Sequence, residues 1–472
     1  MSGLFHTLNI GSESLFAARQ GVDTTGHNIA NAQTEGYSRQ RVEIHQRAPS
    51  WRHGLIMGNG AYAGAIKRSH DQFLERQVNR HGSDYGYSQA MNEAMASVET
   101  LFSPELSASI AEDMSTFFNS MQDLSAFPED STARLSVREM AVTLGNSFRR
   151  IDGDLRDLQA QFDGLVQQEA DEISSIAGNI ASLNHKIRTL EVGTKQDAND
   201  LLDQRDLLVR TLAEKVDLTY YTDKNNMVVV RGPGQELLVE GNHASRLSVR
   251  KDVKTGHHMV QITDFENSIT KDVTHLVKGG SLSGYIDVRD RVVGGLINQQ
   301  NDLATNLVNE VNSIHNKGFG LGDFKQQQGR NFFAPITDLS RAAADMDIAS
   351  EVMQSTDAIS AGLVPDTPGD NVIINELISL KDKKVFEGRA SFNDFYANFV
   401  GELGIEKARI ESKFSADQVL RNELQQKRES ISGVSLDEEA TNLMKWQTAF
   451  TASSKLITTV DEMLQTVLNL KR

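Results

Sequence analysis

Cysteine is absent from this chain of 472 residues, so neither a disulfide framework nor a thiolate metal site can form. Proline occurs only 7 times, which permits long uninterrupted helices. Basic residues are short relative to acidic ones, 48 against 64, for a formal net charge of −16. A nucleic-acid partner, which calls for a basic stripe, is therefore not expected. The same charge suits solubility. No run approaches the eighteen apolar residues of a membrane-crossing helix, so no membrane insertion is expected. The N-terminus lacks a basic stretch followed by an apolar one, so a cleaved Sec-type signal is not expected either. Taken alone, these absences point to the cytoplasm.

Catalytic signatures are also missing. The chain has no Walker A loop, His-Glu-x-x-His, Gly-x-Ser-x-Gly or EF-hand loop. Gly58, Gly60 and Gly64 fail the dinucleotide spacing and read as loop glycines. His257 and His258 are adjacent on a strand pattern, so their side chains point to opposite faces. They read as surface or turn histidines. Asp366 and Asp370 flank a Thr-Pro-Gly and read as turn chemistry. No catalytic, cofactor-binding or metal-ligating residue is expected, and the chain reads as a non-enzyme.

What is present is helical periodicity. The C-terminal stretch reads as one helix of roughly 35 residues, about 50 Å long. Ser435 followed by Glu438 makes a capping box at its start. Leu443, Trp446, Phe450, Ile457, Val460, Leu464 and Val467 then recur at heptad spacing, with Ser453 among them. The first thirty residues keep a weaker seam through Leu4, Leu8, Leu15, Ala18, Val22 and Ile29, with Gly11 and Thr25 in it. Both seams run to the chain ends, and the two helices are expected to pair antiparallel and close the chain. Each stripe needs a partner. The expectation is that neighbouring subunits complete the burial, and that the termini are poorly ordered without them.

Between the ends, residues 36–65 read as loop-rich with a possible hairpin. Helices are expected over 69–102, with Phe73 on its stripe and Pro104 as its stop, and then over a segment carrying Leu106, Ile110, Met114, Phe117, Met121 and Leu124. The longest pattern spans 132–191. Its seam runs from Leu144 to Leu165, shifts by four at Glu169, and resumes through Ile173, Ile176, Ile180, Leu183, Ile187 and Leu190. A shorter helix covers 199–215. At Val216 the period changes to two, and short strands at about ten-residue spacing suggest a small antiparallel β domain. Helix returns over 282–316, then a Gly- and Gln-rich loop anchored by Phe332 and Phe333, a short helix over 371–381, and a long one opened by Ser391 with Asp394 three residues on.

The fold class is therefore mainly α, nested and multidomain. Residues 1–65 and 433–472 form a terminal coiled-coil domain. Residues 66–215 and 282–432 form a helical bundle, and 216–281 form the inserted β domain. That nesting places the termini at one end and the β domain at the other.

Residues 28–42, NIANAQTEGYSRQRV, resemble the N-terminal motif of the bacterial flagellar axial proteins of rod, hook and junction. The motif is carried by Asn28, Asn31, Gly36, Tyr37 and Ser38. Its Ser-Arg-Gln-Arg ending is most similar to the hook-associated proteins of the hook–filament junction. The C-terminal SGVSLDEEA at 432–440, Asp461-Glu462-Met463, the internal ANDLLDQRD at 198–206 and RNFF at 330–333 resemble the same family. Trp446-Gln447 and Ala449-Phe450 stand where that family usually carries tyrosine, a departure from its pattern. The resemblance implies a structural subunit that joins hook to filament by self-assembly into a helical ring, with the terminal helices in a shared inner tube. It implies copies of itself, the hook protein, a second junction protein, an export chaperone and the flagellar type III export apparatus as partners. It implies an extracellular location reached without a cleaved signal peptide. A hook or flagellin-like axial protein is the nearest alternative. A module for adhesion or peptidoglycan cleavage, housed in the β segment, is a more distant one.

Overall fold

The computed structural model describes residues 2–52, 55–102, 109–194 and 196–469. The expectations for Pro104 and Leu106 lie outside these residues.

Chain order sets the architecture. Helix α1 (Ser2–Ala30) leads into a two-stranded ladder, β1 (Gln40–Gln46) with β4 (Ala61–Arg68). A smaller hairpin, β2 (Ser50–Arg52) with β3 (Leu55–Met57), sits at the far end of that ladder. The loop-rich stretch expected here is thus mostly strand. Helix α2 (Gln72–Phe102) follows, then α3 (Ile110–Ala126), α4 (Ser131–Thr194) and α5 (Asn199–Lys215). Gly82 and Gly86 do not break α2. A Cβ at Gly86 would run into the Glu214 carbonyl, so the glycine lets α2 and α5 touch backbone to backbone. Phe73, expected on the buried stripe, is exposed, because Leu74 and Glu75 take the inward positions.

Helix α4 organises the bundle. At 1.5 Å per residue its 64 residues span about 96 Å. Leu144, Phe148, Ile151, Leu155 and Phe162 are sealed against α3 and against helix α7 (Gly294–His315). Beyond Phe162 the buried face differs from the expected one. It passes through Val166, Ala170, Ile173, Ala177, Ile180, Leu183, Asn184 and Ile187, so the expected Ile173, Ile180, Leu183 and Ile187 are buried. Leu165 and Ile176 are half-buried and Leu190 is exposed. The shift by four is real, but it comes directly after Phe162. Small alanines are used where strands lie across the helix.

Those strands are β5 (Thr219–Thr222), β6 (Val228–Arg231), β7 (Leu237–Glu240) and β8 (His243–Ala244) in one sheet. A second sheet holds β9 (Arg246–Lys251), β10 (His258–Thr263) and β11 (Thr270–Asp272). Both are antiparallel. The expected period-2 burial holds on β10, where Val260 and Ile262 point inward, but β6 is buried at Val228, Val229 and Val230 in succession. Their Val228, Val230, Leu238, Leu247 and Val260 share one core with α4 and α5. Ser174 and Asn184 of α4 bond strand backbones at Leu247, Val228 and Gly241. The β segment is therefore not the pole opposite the termini. It lies along the C-terminal half of α4. The far end is the loop layer 316–391, which Arg134 near the start of α4 ties in through the carbonyls of Thr356 and Ile359.

The chain returns through α6 (Gly280–Asp287), a π-helical turn at Val288–Val293, and α7. Short helices α8 (Ser350–Gln354) and α9 (Val372–Ser379) lie in the loop layer. Phe332 and Phe333 are fully buried there against Phe117. Helix α10 (Phe392–Ser432) opens on the expected capping box of Ser391 and Asp394. Gly433 ends it, since a side chain there would meet the Glu429 carbonyl. The last helix, α11 (Leu436–Asn469), follows at once.

Candidate assembly site: the terminal helix pair and its joint

Helices α1 and α11 pack antiparallel within one chain. Ser14 and Ser453 share a hydroxyl hydrogen bond of 2.9 Å, a Cβ on Gly11 would lie 3.0 Å from Ile457, and one on Gly21 would strike the Trp446 ring. The face of α1 that does this is small: Gly11, Ser14, Ala18, Gly21 and Thr25. Small side chains let two helix axes approach closely. The larger residues of α11 then lie over the gaps.

This corrects the expected N-terminal seam. Ala18 is buried, but Leu4, Leu8, Leu15 and Val22 lie on a flank and are half-buried, and Ile29 is 36 % exposed. On α11, Val460 and Ser453 are buried. Leu443, Trp446, Ile457 and Leu464 are half-buried, while Phe450 and Val467 are each 39 % exposed. Heptad spacing located the helices and their partners, and Gly11, Ala18 and Thr25 of the expected seam lie on the packed face, but its large apolar residues lie beside that face. Leucine is the stronger hydrophobic signal, and a glycine stripe carries none.

At the inner end of the pair the motif residues converge. Asn28 is buried and all four hydrogen-bonding positions of its amide are used. Its Nδ2 donates to the Gln40 carbonyl and to Glu439 Oε2, each at 2.9 Å. Its Oδ1 accepts from the Tyr37 hydroxyl at 2.8 Å and from the Gln40 N–H at 2.9 Å. Asn28 thus clips the start of β1 to α1 and also holds α11. Tyr37 accepts from His27 Nδ1 at 3.0 Å. Burial, then Asp200, Asp203 and Glu439, push its phenol well above the ordinary range, so it stays a neutral donor. Gly36 sits at φ +81°, where a side chain is strained. Its carbonyl accepts from Arg428 of α10. Asn31 donates to the His27 carbonyl and accepts from Thr34, which turns the chain out of α1.

Ser38 binds the other side. Its N–H donates to Asp203 of α5 at 2.8 Å. Asp203 also takes Arg68 at 2.9 Å, and Asp206 takes Arg68 at 2.7 Å. Burial pushes the Asp203 carboxyl up, partly offset by Arg68 and Ser38. Burial disfavours the Arg68 charge, but Asp206 and Asp203 outweigh this and hold its pKa above the ordinary value. Glu439, almost fully buried, pairs with Arg39 at 2.8 Å, and Glu438 reaches Arg39 at 2.7 Å. So Glu438 serves an ion pair across the joint, not the expected capping box. Buried Glu75 of α2 bridges Arg210 at 3.1 Å and Arg428 at 2.8 Å. A cleft of about 330 Å³ remains between the 32–37 turn and helices α2, α5 and α10.

The joint therefore gathers segments far apart in sequence, almost wholly through hydrogen bonds and ion pairs. Asp203, Arg68, Glu75 and Arg428 were not singled out from sequence. Asp203 stood inside the internal ANDLLDQRD signature, the available signal. Glu75 and Arg428 carry no local pattern.

A second polar node was also missed. His258 is not a surface residue: its Nδ1 lies 2.7 Å from Asp163 of α4, and Arg289 in the π turn donates to Asp163 at 2.7 Å and to the His258 carbonyl. Hydrogen bonds from His258 and Arg289 hold the Asp163 carboxyl below its ordinary range despite burial. Its partner His257 stays near the turn, so the two histidines share no site.

The flagellar hook-associated protein FlgK helical domain matches residues 95–333, just over half of the chain. The chain belongs to that family. The flagellar basal body rod FlgEFG protein C-terminal model matches residues 425–470, which cover the end of α10, the joint's Arg428, Glu438 and Glu439, and α11. Flagellar hook-associated protein 1 of Bacillus subtilis is 25 % identical over 507 aligned positions, covering 99 % of each chain. The protein of the same name from Escherichia coli K12 is 25 % identical and covers 98 % of this chain and 99 % of that one. The flagellar hook junction protein FlgK of Burkholderia pseudomallei shares the fold, with a TM-score of 0.68 at 14 % identity over 75 % of this chain and 100 % of that one. The mainly α, nested fold follows from this likeness and from the elements above.

Proposed function

We propose that this chain is a structural subunit of the flagellar hook–filament junction and that it works without catalysis. The observation that carries the reading is the joint: the motif residues 28–38 and 432–439 close around Asn28 and Glu439, and fix a paired terminal unit on a long bundle. Such a unit suits an axial assembly. Residues 1–65 and 433–472 are its terminal domain, with the bundle and the 216–281 β layer outside. The half-buried flank of Leu4, Leu8, Leu15 and Val22, with Ile29, Phe450 and Val467, is the surface that copies of the chain cover in one another. The hook protein lies on one side of the ring and a second junction protein on the other. An export chaperone holds α11 before passage through the type III apparatus, and the chain reaches the cell exterior without a cleaved signal. The match over residues 95–333 supports this reading over a hook or flagellin-like protein.

The test is labelled electron microscopy on cells lacking the gene and complemented with a tagged copy. Label confined to the hook–filament boundary, with filament loss in the deletion, is expected. Label along the whole hook or filament would overturn the assignment.

A further inference from the structure

The β2–β3 arm stands apart from the rest of the terminal domain. The β1–β4 ladder lies along one side of α1: Ile10 packs on Gly60, Glu13 pairs with Arg47 at 2.7 Å, and the Gly58 carbonyl accepts from His6 at 3.3 Å. The ladder runs toward the start of α1, and the arm continues beyond it. Its cross-strand pair is Trp51 with Ile56, 73 % and 70 % exposed. The arm's sheet has two strands. A lone two-stranded hairpin is marginal in water and needs a third layer. A paired tryptophan and isoleucine open to solvent form an apolar face of the kind that marks an interaction site.

One surface of matching chemistry lies on α1 itself. Phe5 and Phe16 are 54 % and 63 % exposed, and the half-buried Leu8 and Leu15 complete the strip. At about 100° per residue, Leu15 and Leu8 lie roughly 140–160° from Ile10 in one sense and Phe16 and Phe5 roughly 120–140° in the other, one arc on the face opposite Ile10. Helix α11 covers α1 on the leucine side of Ile10, through Gly11 and Ser14. The strip is thus a third side of α1, opposite the ladder's contact at Ile10. The chain's own arm does not cover it: Trp51, Ile56, Phe5 and Phe16 all stay exposed. A second copy can supply it.

We propose that the Trp51–Ile56 arm of one copy docks on the Phe5–Phe16 strip of the next, joining copies head to tail. The two patches differ, so the contact is heterologous and propagates into a ring or helix, not a closed dimer. This rests on the reading that copies assemble through their terminal regions.

The absence of cysteine makes the test direct. Phe16→Cys and Ile56→Cys copies are expressed together, and isolated flagella are oxidised. A cross-linked dimer is expected from the mixture and not from either copy alone. The double variant carrying both in one chain should give a ladder of multimers. A product that stops at the dimer would overturn the head-to-tail contact. Val253, at the tip of the β9–β10 turn, supplies the control: Val253→Cys with Phe16→Cys should not cross-link, and an equal yield would overturn the specificity. In parallel, Trp51→Ser with Ile56→Ser should keep the circular dichroism of the soluble chain and lose incorporation at the junction. Unchanged incorporation would sink the proposal. If label sits at the junction but no 16–56 cross-link forms, the arm contact falls and the proposed function stands. If label is absent from the junction, both fall.

Discussion

Helices α4 and α1 both carry apolar residues at heptad spacing, yet the two stripes meet different fates. In α4, Leu144, Phe148 and Leu155 are completely sealed. In α1, Leu4, Leu8, Leu15 and Val22 remain half-buried. The difference lies in the number of partners. Helix α4 is packed by α3, α7, two sheets and the loop layer. Helix α1 has α11 and one ladder. A bundle of the first kind holds itself together. A pair of the second kind is held at its inner end by a polar joint and leaves an apolar flank uncovered. Equal patterns in sequence therefore do not imply equal stability.

The largest test of this contrast strikes the sealed core. Phe148→Ala should cost about 3–5 kcal/mol, the usual range for a buried phenylalanine, and lower the main thermal transition. Leu8→Ala, read in the same calorimeter, should leave that transition unmoved. A comparable loss at both sites would erase the distinction.

Acid offers a second way to separate the regions. His315 is fully buried, its Nδ1–H donating to the Arg330 carbonyl at 2.8 Å and its Nε2 accepting from Ser360 N–H at 2.9 Å. That geometry fits the neutral ring. Burial pulls its pKa down to about 4 from an ordinary 6.5. The unfolded chain then binds more protons than the folded one between those values, so stability falls as pH drops through this window. The loss is roughly 3 kcal/mol by linkage and levels off below it. Denaturant midpoints across pH 7 to 4 would measure it, and His315→Gln should flatten that part of the profile. An unchanged slope would contradict the assignment.

At the joint, Asn28→Asp replaces two donors with a carboxylate facing Glu439. Leaving these buried groups unpaired should cost about 2–3 kcal/mol. The effect should be local: faster amide exchange at both inner helix ends, with the bundle transition kept. Gly21→Ala is expected to be milder, about 1–2 kcal/mol, since the added methyl displaces the Trp446 ring. Its effect should also stop at the pair. A shift of the bundle transition by either variant would show that the two regions unfold as one.

The helices of this fold were legible because apolar period and punctuation agree. Ser391 with Asp394, and the change to period two after Val216, marked true boundaries. The inner face of α1 was legible in part: Gly11, Ala18 and Thr25 stood in the seam, but Ser14 and Gly21 act by what they leave out. The alanines 170 and 177 hid the turn of α4 for the same reason, since a strand crossing calls for small residues that no hydrophobic pattern marks. The joint was half legible. Asn28, Gly36, Tyr37 and Ser38 stood in a motif, and their roles emerged only with Asp203, Glu75 and Glu439, partners brought near by topology. A hydrogen bond across 165 residues and an ion pair across 353 leave no local trace.

On the reading proposed above, the terminal pair is the weakly held part of the single chain and gains its order on assembly. Hydrogen exchange on the soluble chain and on isolated flagella checks this. Amides of residues 5–30 and 440–465 should exchange far ahead of those in α4 in the soluble chain, and become protected once assembled. Strong protection of residues 5–30 in the soluble chain, equal to that of α4, would contradict it.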